Sequence, residues 1–295
     1  MPFFSVIIPA YNRADLLPET LASVSAQIFA DWECIVVDDG STDDTAKVMQ
    51  VLCAQDSRIR YVHQQNAERS AARNNGMNHA QGTFFCFLDS DDHYVPEYLQ
   101  ELYAFLSSEN FPVALIVSDF CFWGGKNVEP APVPPLGGNP AEWLFRNPVS
   151  PSRACMHRDI SLKYRFREDI VIVEDTVLWV SLANEFPIVH LRRPLIWYRV
   201  HDGNSVNRAT KACFRRHEGL KTFFADPLSG IVPMSTKRDM LADVRFRIAE
   251  YHAIHGNKGK ALGTILRSVF TQPFHMHTKA KLYFFLAEVG LLPKK

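Results

Sequence analysis

The first 120 residues alternate between two kinds of segment, and this alternation restricts the fold more than any other feature of the chain. Ser5–Ile8, Glu33–Val37, Ile59–Val62, Thr83–Leu88 and Val113–Val117 are short, apolar and rich in β-branched or aromatic residues. Helix-like stretches separate them: Leu16–Ala26, Thr42–Leu52, Ser70–Ala80 and Tyr98–Leu106. In the first of these, Leu16, Leu17, Thr20, Leu21 and Val24 recur at the spacing of one helix face. Strands alternating with helices of this length build βαβ units. Parallel strands covered on both sides read as continuous apolar runs, and these runs are continuous. The expected fold is α/β, a mostly parallel, doubly wound sheet with helices on both faces.

The pattern breaks at residues 124–140, where Gly124, Gly125, Pro130, Pro132, Pro134, Pro135, Gly137, Gly138 and Pro140 oppose helix and central strand alike. A long surface loop is expected there, one able to close over a ligand. Helical spacing resumes at Glu174–Asn184, and Ile188–Leu191 and Leu195–Arg199 read as two further strands. After residue 206 the chain reads as helices: Ala209–Phe224, Arg238–Ile254, Gly259–Val269 and Thr278–Val289. The expected domains are therefore an α/β body over 1–205 and a C-terminal helical extension over 206–295.

Charge divides at the same place. Residues 1–205 hold 16 basic and 26 acidic side chains, and residues 206–295 hold 16 basic and 6 acidic. Either the tail faces an anionic partner or the two halves match each other electrostatically. Hydrophobic residues at 47% and charged residues at 22% exclude a disordered or fibrous chain. No apolar run approaches the roughly 20 residues of a spanning helix, and Pro2–Phe4 lead into a strand with no leader pattern. Cys34, Cys53, Cys86, Cys121, Cys155 and Cys213 are widely spaced, without a C-x-x-C pair. They read as reduced residues of a cytoplasmic protein.

In an open α/β sheet, ligands bind beyond the carboxyl ends of the strands. Three polar clusters stand there: Pro9-Ala10-Tyr11-Asn12-Arg13, Asp38-Asp39-Gly40-Ser41-Thr42-Asp43 and Asp89-Ser90-Asp91-Asp92. Ser41 or Thr42 would serve as the N-cap of the next helix, with Asp43 and Asp44 favouring its dipole. That leaves Asp38 and Asp39 unexplained. Three carboxylates within Asp89–Asp92 repel one another unless a cation or donors compensate. Hard oxygen ligands suit Mg²⁺ or Mn²⁺, which bind through one or two carboxylates plus substrate phosphates. No G-x-G-x-x-G follows the first strand and no G-x-x-x-x-G-K-[ST] is present, so neither a dinucleotide cofactor nor a P-loop is expected.

Two later groups remain open on this reading alone. Glu174-Asp175, after a strand-like Asp169–Val173, either complements a helix dipole or supplies a general base. His201, after the last strand, is either a loop histidine or a ligand of metal or diphosphate.

Taken in order, Ser5-Val-Ile-Ile-Pro-Ala-Tyr-Asn12, Val37-Asp-Asp-Gly-Ser-Thr-Asp43, Ala71-Ala-Arg-Asn74, Leu88-Asp-Ser-Asp-Asp92, Glu174-Asp175 and Tyr198-Arg-Val-His201 resemble the family 2 inverting glycosyltransferases of the GT-A fold. The resemblance spans about residues 1–205. It implies a nucleotide-sugar donor, most often a UDP-sugar, and a divalent cation, Mn²⁺ or Mg²⁺. Pro9, Tyr11 and Asn12 match the donor-nucleotide strand end, and Asp39, with Asp38 beside it, matches the carboxylate that meets the base. Arg73 matches the basic position near the nucleotide. Asp89 and Asp91 match the D-x-D pair, Asp91 as metal ligand and Asp89 as a ligand that also reaches the ribose. Asp175 matches the catalytic base, with Glu174 its neighbour, and His201 matches a histidine holding the metal–diphosphate.

No Q-x-x-R-W follows Glu174-Asp175, so the processive membrane synthases are not matched. The expected activity is non-processive transfer in the assembly of cell-surface polysaccharide, oligosaccharide or glycolipid, onto a glycan or lipid-linked acceptor and not onto nucleic acid. A binding or scaffold protein without turnover is the alternative, ahead of a sugar-1-phosphate nucleotidyltransferase. Lys279 and Lys281 precede Leu282–Ala287, and Lys294 and Lys295 end the chain. This segment either packs on the protein or seats a helix at the anionic inner face of a membrane.

Overall fold

The computed structural model describes residues 1–124, 127–200 and 211–271. The chain falls into two compact units, Met1–His201 and Asp202–Lys295. The first is an α/β unit whose strands and helices follow the apolar alternation closely. Its opening half comprises β1 (Phe4–Ala10), α1 (Leu17–Ser25), β2 (Trp32–Asp38), α2 (Thr45–Gln55), β3 (Ile59–His63), α3 (Glu68–His79) and β4 (Phe84–Phe87). Next come β5 (His93–Tyr94), α4 (Tyr98–Ser108), β6 (Leu115–Trp123) and β7 (Val128–Pro130). The unit closes with α5 (Pro140–Arg146), β8 (Ala154–His157), α6 (Glu174–Leu182) and β9 (Ile188–Arg199).

The sheet order is β3-β2-β1-β4-β8-β6-β9-β5, with β7 paired to β6. β3, β2, β1 and β4 are parallel, as expected. The far half is mixed: β8 runs antiparallel between β4 and β6, while β9 is parallel to β6. The carboxyl ends of β1, β2, β3, β4, β6 and β9 consequently lie along one edge. Every residue of β1 and β2 is buried, the condition that makes such strands continuous apolar runs.

Several details differ from the sequence expectation. Ile188–Leu191 and Leu195–Arg199 are one strand, β9, whose register against β6 shifts around Ser118–Phe120. A bulge absorbs the break that Arg192, Arg193 and Pro194 present in the sequence. Residues 169–173 are turns, not a strand. β8 was not foreseen, since Ala154–His157 is four residues long and carries no β-branched side chain. β7 lies inside the Pro/Gly-rich stretch as an exposed edge strand, a sheet position that tolerates Pro130. That stretch is also tied down: Ala131 N–H donates to Phe120 O at 2.9 Å, Leu136 N–H to Nδ1 of His190 at 3.2 Å, and Trp143 Nε1–H to Pro135 O at 3.0 Å.

α3 is polar in sequence, yet its buried face of Ser70, Ala72, Arg73, Gly76 and Met77 lies against β1 and β2. Small residues permit that approach. A Cβ on Gly76 would lie 2.4 Å from Cγ2 of Ile7, a fully buried side chain. Gly76→Ala is expected to destabilise the unit by about 1–3 kcal/mol through overpacking. A urea titration should show a lower midpoint at an unchanged slope.

The second unit contains α7 (Ala212–Phe224), α8 (Met234–Ile254) and α9 (Lys258–Thr271). Phe246, Ala249, Ala261 and Ile265 form its small core, and Ser268 Oγ donates to Ala242 O at 2.6 Å. Phe214 meets Tyr251 edge-on at 5.2 Å. Among the described residues no helix is long and apolar enough to cross a membrane. The expected helix Thr278–Val289, and the basic aromatic segment within it, lie outside the described residues.

Candidate active site

The strand ends bring the first two polar clusters together. Asn12 has φ +52°, a left-handed conformation that asparagine tolerates. Its N–H donates to Ser41 Oγ at 2.9 Å, and its Oδ1 accepts from Thr42 N–H at 2.8 Å. Asn12 therefore zips the β1 loop to the β2 loop. Ser41 is engaged in that bond; it is Asp43 that accepts from Thr45 N–H at the start of α2, at 3.0 Å. Gly40 has φ +74°, and a Cβ there would lie 2.8 Å from Asn66 N, so the turn requires glycine.

Asp38 and Asp39 take different parts. Asp38 is buried and spends both oxygens on the scaffold, accepting from Ser41 N–H at 2.8 Å and from the Tyr61 hydroxyl at 2.6 Å. Burial, then that bond, push the Tyr61 phenol above its usual range. Asp39 receives Gln64 Nε2–H at 2.7 Å and Ala67 N–H at 2.8 Å, both on Oδ1. Pro9 is buried at the end of β1, whereas Tyr11 is 47% exposed.

The D-x-D-D turn is held from three directions. Asp89 N–H donates to Ser152 Oγ at 3.0 Å, and Ser152 Oγ–H donates to Oδ2 of Asp92 at 2.6 Å. Thr20 Oγ1–H donates to Ser90 O at 3.1 Å. From the end of β9, Arg199 N–H donates to Oδ1 of Asp92 at 3.1 Å and Nε–H to Asp91 O at 3.0 Å. Asp92 is buried, and burial followed by the charges of Asp89 and Asp91 raises its carboxyl well above the usual range. It is an anchor of the turn. Asp89 and Asp91 keep side chains that are 28% and 21% exposed. Arg13 Nη2 lies 3.9 Å from Oδ2 of Asp91.

Glu174 and Asp175 open α6, where carboxylates favour the helix dipole. The residue before them, Val173, has φ +73°. A β-branched residue in that region is strained by roughly 1–3 kcal/mol, and such strain clusters at functional sites. Glu174 is buried, and burial followed by the charge of Asp175 raises its carboxyl to about 7. Burial also raises the half-buried Asp175, whose Oδ1 accepts from Thr176 N–H at 2.5 Å.

Arg73 lies between these groups. The sequence places it near a nucleotide, but its side chain is 2% exposed. Nη2–H donates to Oδ1 of Asp89 at 2.7 Å and Nη1–H to Oε1 of Glu174 at 3.0 Å. Burial alone would depress the guanidinium; the two carboxylates outweigh it and hold it above its usual value. Arg69, one helical turn earlier and 39% exposed, was not singled out from sequence, and its Nε lies 3.9 Å from the same Oε1. The i, i+4 spacing of two arginines on a helix ending a βαβ unit was the available signal.

Asp91 fits a hard divalent cation that draws its other ligands from water and phosphate. Asp89 offers one oxygen beyond the one Arg73 holds. Among the described residues no cluster of three His, Cys, Asp or Glu side chains forms a metal cage. His201, the third expected ligand, lies outside the described residues.

A single carboxyl edge therefore carries the buried Asp39, the partly exposed carboxylates of Asp89 and Asp91 and an acidic helix start. Residues 5–162 match the model of "Glycosyl transferase family 2". An uncharacterized glycosyltransferase of Rickettsia felis is 31% identical over 202 residues, 68% of this chain and 33% of its own length. The match thus spans about a third of that relative. A Campylobacter jejuni GalNAc(5)-diNAcBac-PP-undecaprenol beta-1,3-glucosyltransferase is 46% identical over 94 residues, covering 31% of this chain and 30% of its own. Among solved structures, residues 1–349 of S. aureus TarS superpose with TM-score 0.65 at 20% identity, over 97% of this chain and 88% of that one. The mannosyltransferase PcManGT of Pyrobaculum calidifontis, in complex with GDP-Man and Mn²⁺, gives 0.60 at 18% identity, over 100% of this chain and 88% of that one. At such identities the structures establish the GT-A-type fold, and the family match establishes the rest: this chain is a glycosyltransferase of family 2.

Proposed function

We propose that the chain transfers a sugar from a nucleotide-sugar donor, a UDP-sugar in the first instance, to an acceptor hydroxyl with inversion and without processivity. The observation that carries this reading is the sharing of one sheet edge by Asp39, Asp91 and the Glu174-Asp175 helix start. In this reading, Oδ2 of Asp39 accepts the imide N–H of the base, and Tyr11 offers its exposed ring to the base face. Pro9, Asn12 and Asp38 shape that pocket from behind. Arg69 supplies the half-exposed cation facing the nucleotide. Asp91 holds Mn²⁺ or Mg²⁺, assisted by Asp89 and His201, and the bound cation stabilises charge on the departing diphosphate.

Asp175 accepts the proton of the acceptor hydroxyl as its oxygen forms a bond to the anomeric carbon and the bond to the diphosphate breaks. A single in-line displacement inverts that centre. A TarS structure contains UDP-GlcNAc, which favours a UDP-sugar. The C. jejuni relative is named for an undecaprenol-linked substrate, and a Bacillus subtilis relative, 40% identical over 106 residues, is named a putative teichuronic acid biosynthesis glycosyltransferase. Those names support a glycan or lipid-linked acceptor as part of the proposal.

Thermal unfolding with UDP, GDP, dTDP and CDP, each with and without Mn²⁺, tests the donor. The expected result is stabilisation by UDP that requires the metal. A shift with another nucleotide would retain the mechanism and change the donor. No shift with any nucleotide would overturn the reading.

A further inference from the structure

Arg73 is a buried cation with two anionic partners from distant parts of the chain. Asp89 follows β4, Glu174 begins α6, and Arg73 belongs to α3. Its guanidinium spans the two carboxylates at 2.7 and 3.0 Å, and the ring of Phe166 lies beneath it at 5.2 Å. With 2% of its side chain exposed, it offers no surface to a nucleotide. We propose that Arg73 is a positioning residue for sugar transfer: its fork fixes the D-x-D turn against the start of α6, so that the metal-bearing and proton-accepting carboxylates keep one separation. This inference rests on the proposed roles of Asp91 and Asp175.

The chemistry selects arginine. A guanidinium presents separate donors in a rigid plane, while an ammonium is a compact point charge that cannot meet both oxygens in the same geometry. The rest of the site supports the assignment. Ser152 and Arg199 fix Asp89 and Asp91 on one side of the gap. Thr176 fixes Asp175 on the other. Among the described residues, the Arg73 fork is what joins Asp89 to Glu174. A base misplaced by about 1 Å costs on the order of 100-fold in rate.

The test compares Arg73→Lys, Glu174→Gln, Glu174→Ala and the Arg73→Lys/Glu174→Ala double variant in the full chain. The readouts are the affinity for UDP with Mn²⁺ and the rate of UDP-sugar hydrolysis, with water standing in for the acceptor. Arg73→Lys and Glu174→Ala are each expected to lower kcat roughly 10–100-fold while leaving nucleotide affinity within about threefold. Glu174→Gln, which keeps an oxygen for Nη1, is expected to retain more rate than Glu174→Ala. The double variant should be little worse than either single, because both break one link. Loss of affinity with kcat retained in Arg73→Lys would overturn the proposal in favour of direct nucleotide contact. Unchanged kcat in Glu174→Ala would overturn it even where the lysine variant fails to fold. An unmutated chain that binds no nucleotide would instead count against the function reading alone.

Discussion

Replacing Asp175 by asparagine is expected to lower turnover by roughly 10²–10⁴-fold, the span a positioned general base contributes. The amide is nearly isosteric and can still accept from Thr176 N–H, so the start of α6 should keep its shape. Nucleotide affinity should remain, because the proposed sites for the base and the diphosphate lie at other strand ends. The pH profile of the unmutated enzyme gives an independent sign. A base works only when ionised, and burial raises both Glu174, to about 7, and Asp175. The pair should be read as one coupled acid. Activity is thus expected to keep rising with pH above the range in which an ordinary carboxylate ionises. Glu174→Gln removes the neighbouring negative charge and should move the acid limb to lower pH. A pH–rate profile of both proteins checks this, and an unmoved limb would show that the two carboxyls do not interact.

Asp91→Ala is expected to abolish metal-dependent stabilisation by nucleotide. A ligand at 100 times its dissociation constant adds about 2.7 kcal/mol to the native state. For a domain of this size that is a melting shift of roughly 5–10 °C. Without Asp91 the proposed cation site loses a carboxylate, and Asp89 has one oxygen committed to Arg73. The shift with UDP and Mn²⁺ should collapse toward that with UDP alone. The long contact between Asp91 and Arg13 is itself worth at most a fraction of a kcal/mol. An undiminished shift in Asp91→Ala would move the cation elsewhere.

The parts of the fold set by local pattern were readable from sequence, and those set by distant pairing were not. β1, β2 and β4 announce themselves because burial on both faces forces continuous apolar runs. β8 gives no such sign: Ala154–His157 becomes a strand because β4 and β6 offer open edges on either side. The same division holds in the site. The D-x-D-D cluster stands out because adjacent carboxylates need compensation, yet the sequence could not say which of them is spent internally. Asp38 and Asp92 are absorbed by partners up to 107 residues away. The resemblance set Arg73 near the nucleotide, while its burial between Asp89 and Glu174 was not legible in the sequence. Ser152 belonged to no motif, Arg199 stood within Tyr198-Arg-Val-His201 without a role of its own, and only folding brings both to the turn.

Ser152 has a consequence for how the enzyme meets its donor. One hydroxyl accepts from the first residue of the D-x-D-D turn and donates to the last, so the turn is set before any ligand arrives. A preset site has little disorder left to surrender on binding. Affinity should therefore be gained mainly through slow release, with association governed by diffusion and by the negative field of the exposed aspartates. Deleting this single oxygen would leave those charges in place but make them a loose pair, paying for metal and diphosphate capture with lost conformational freedom.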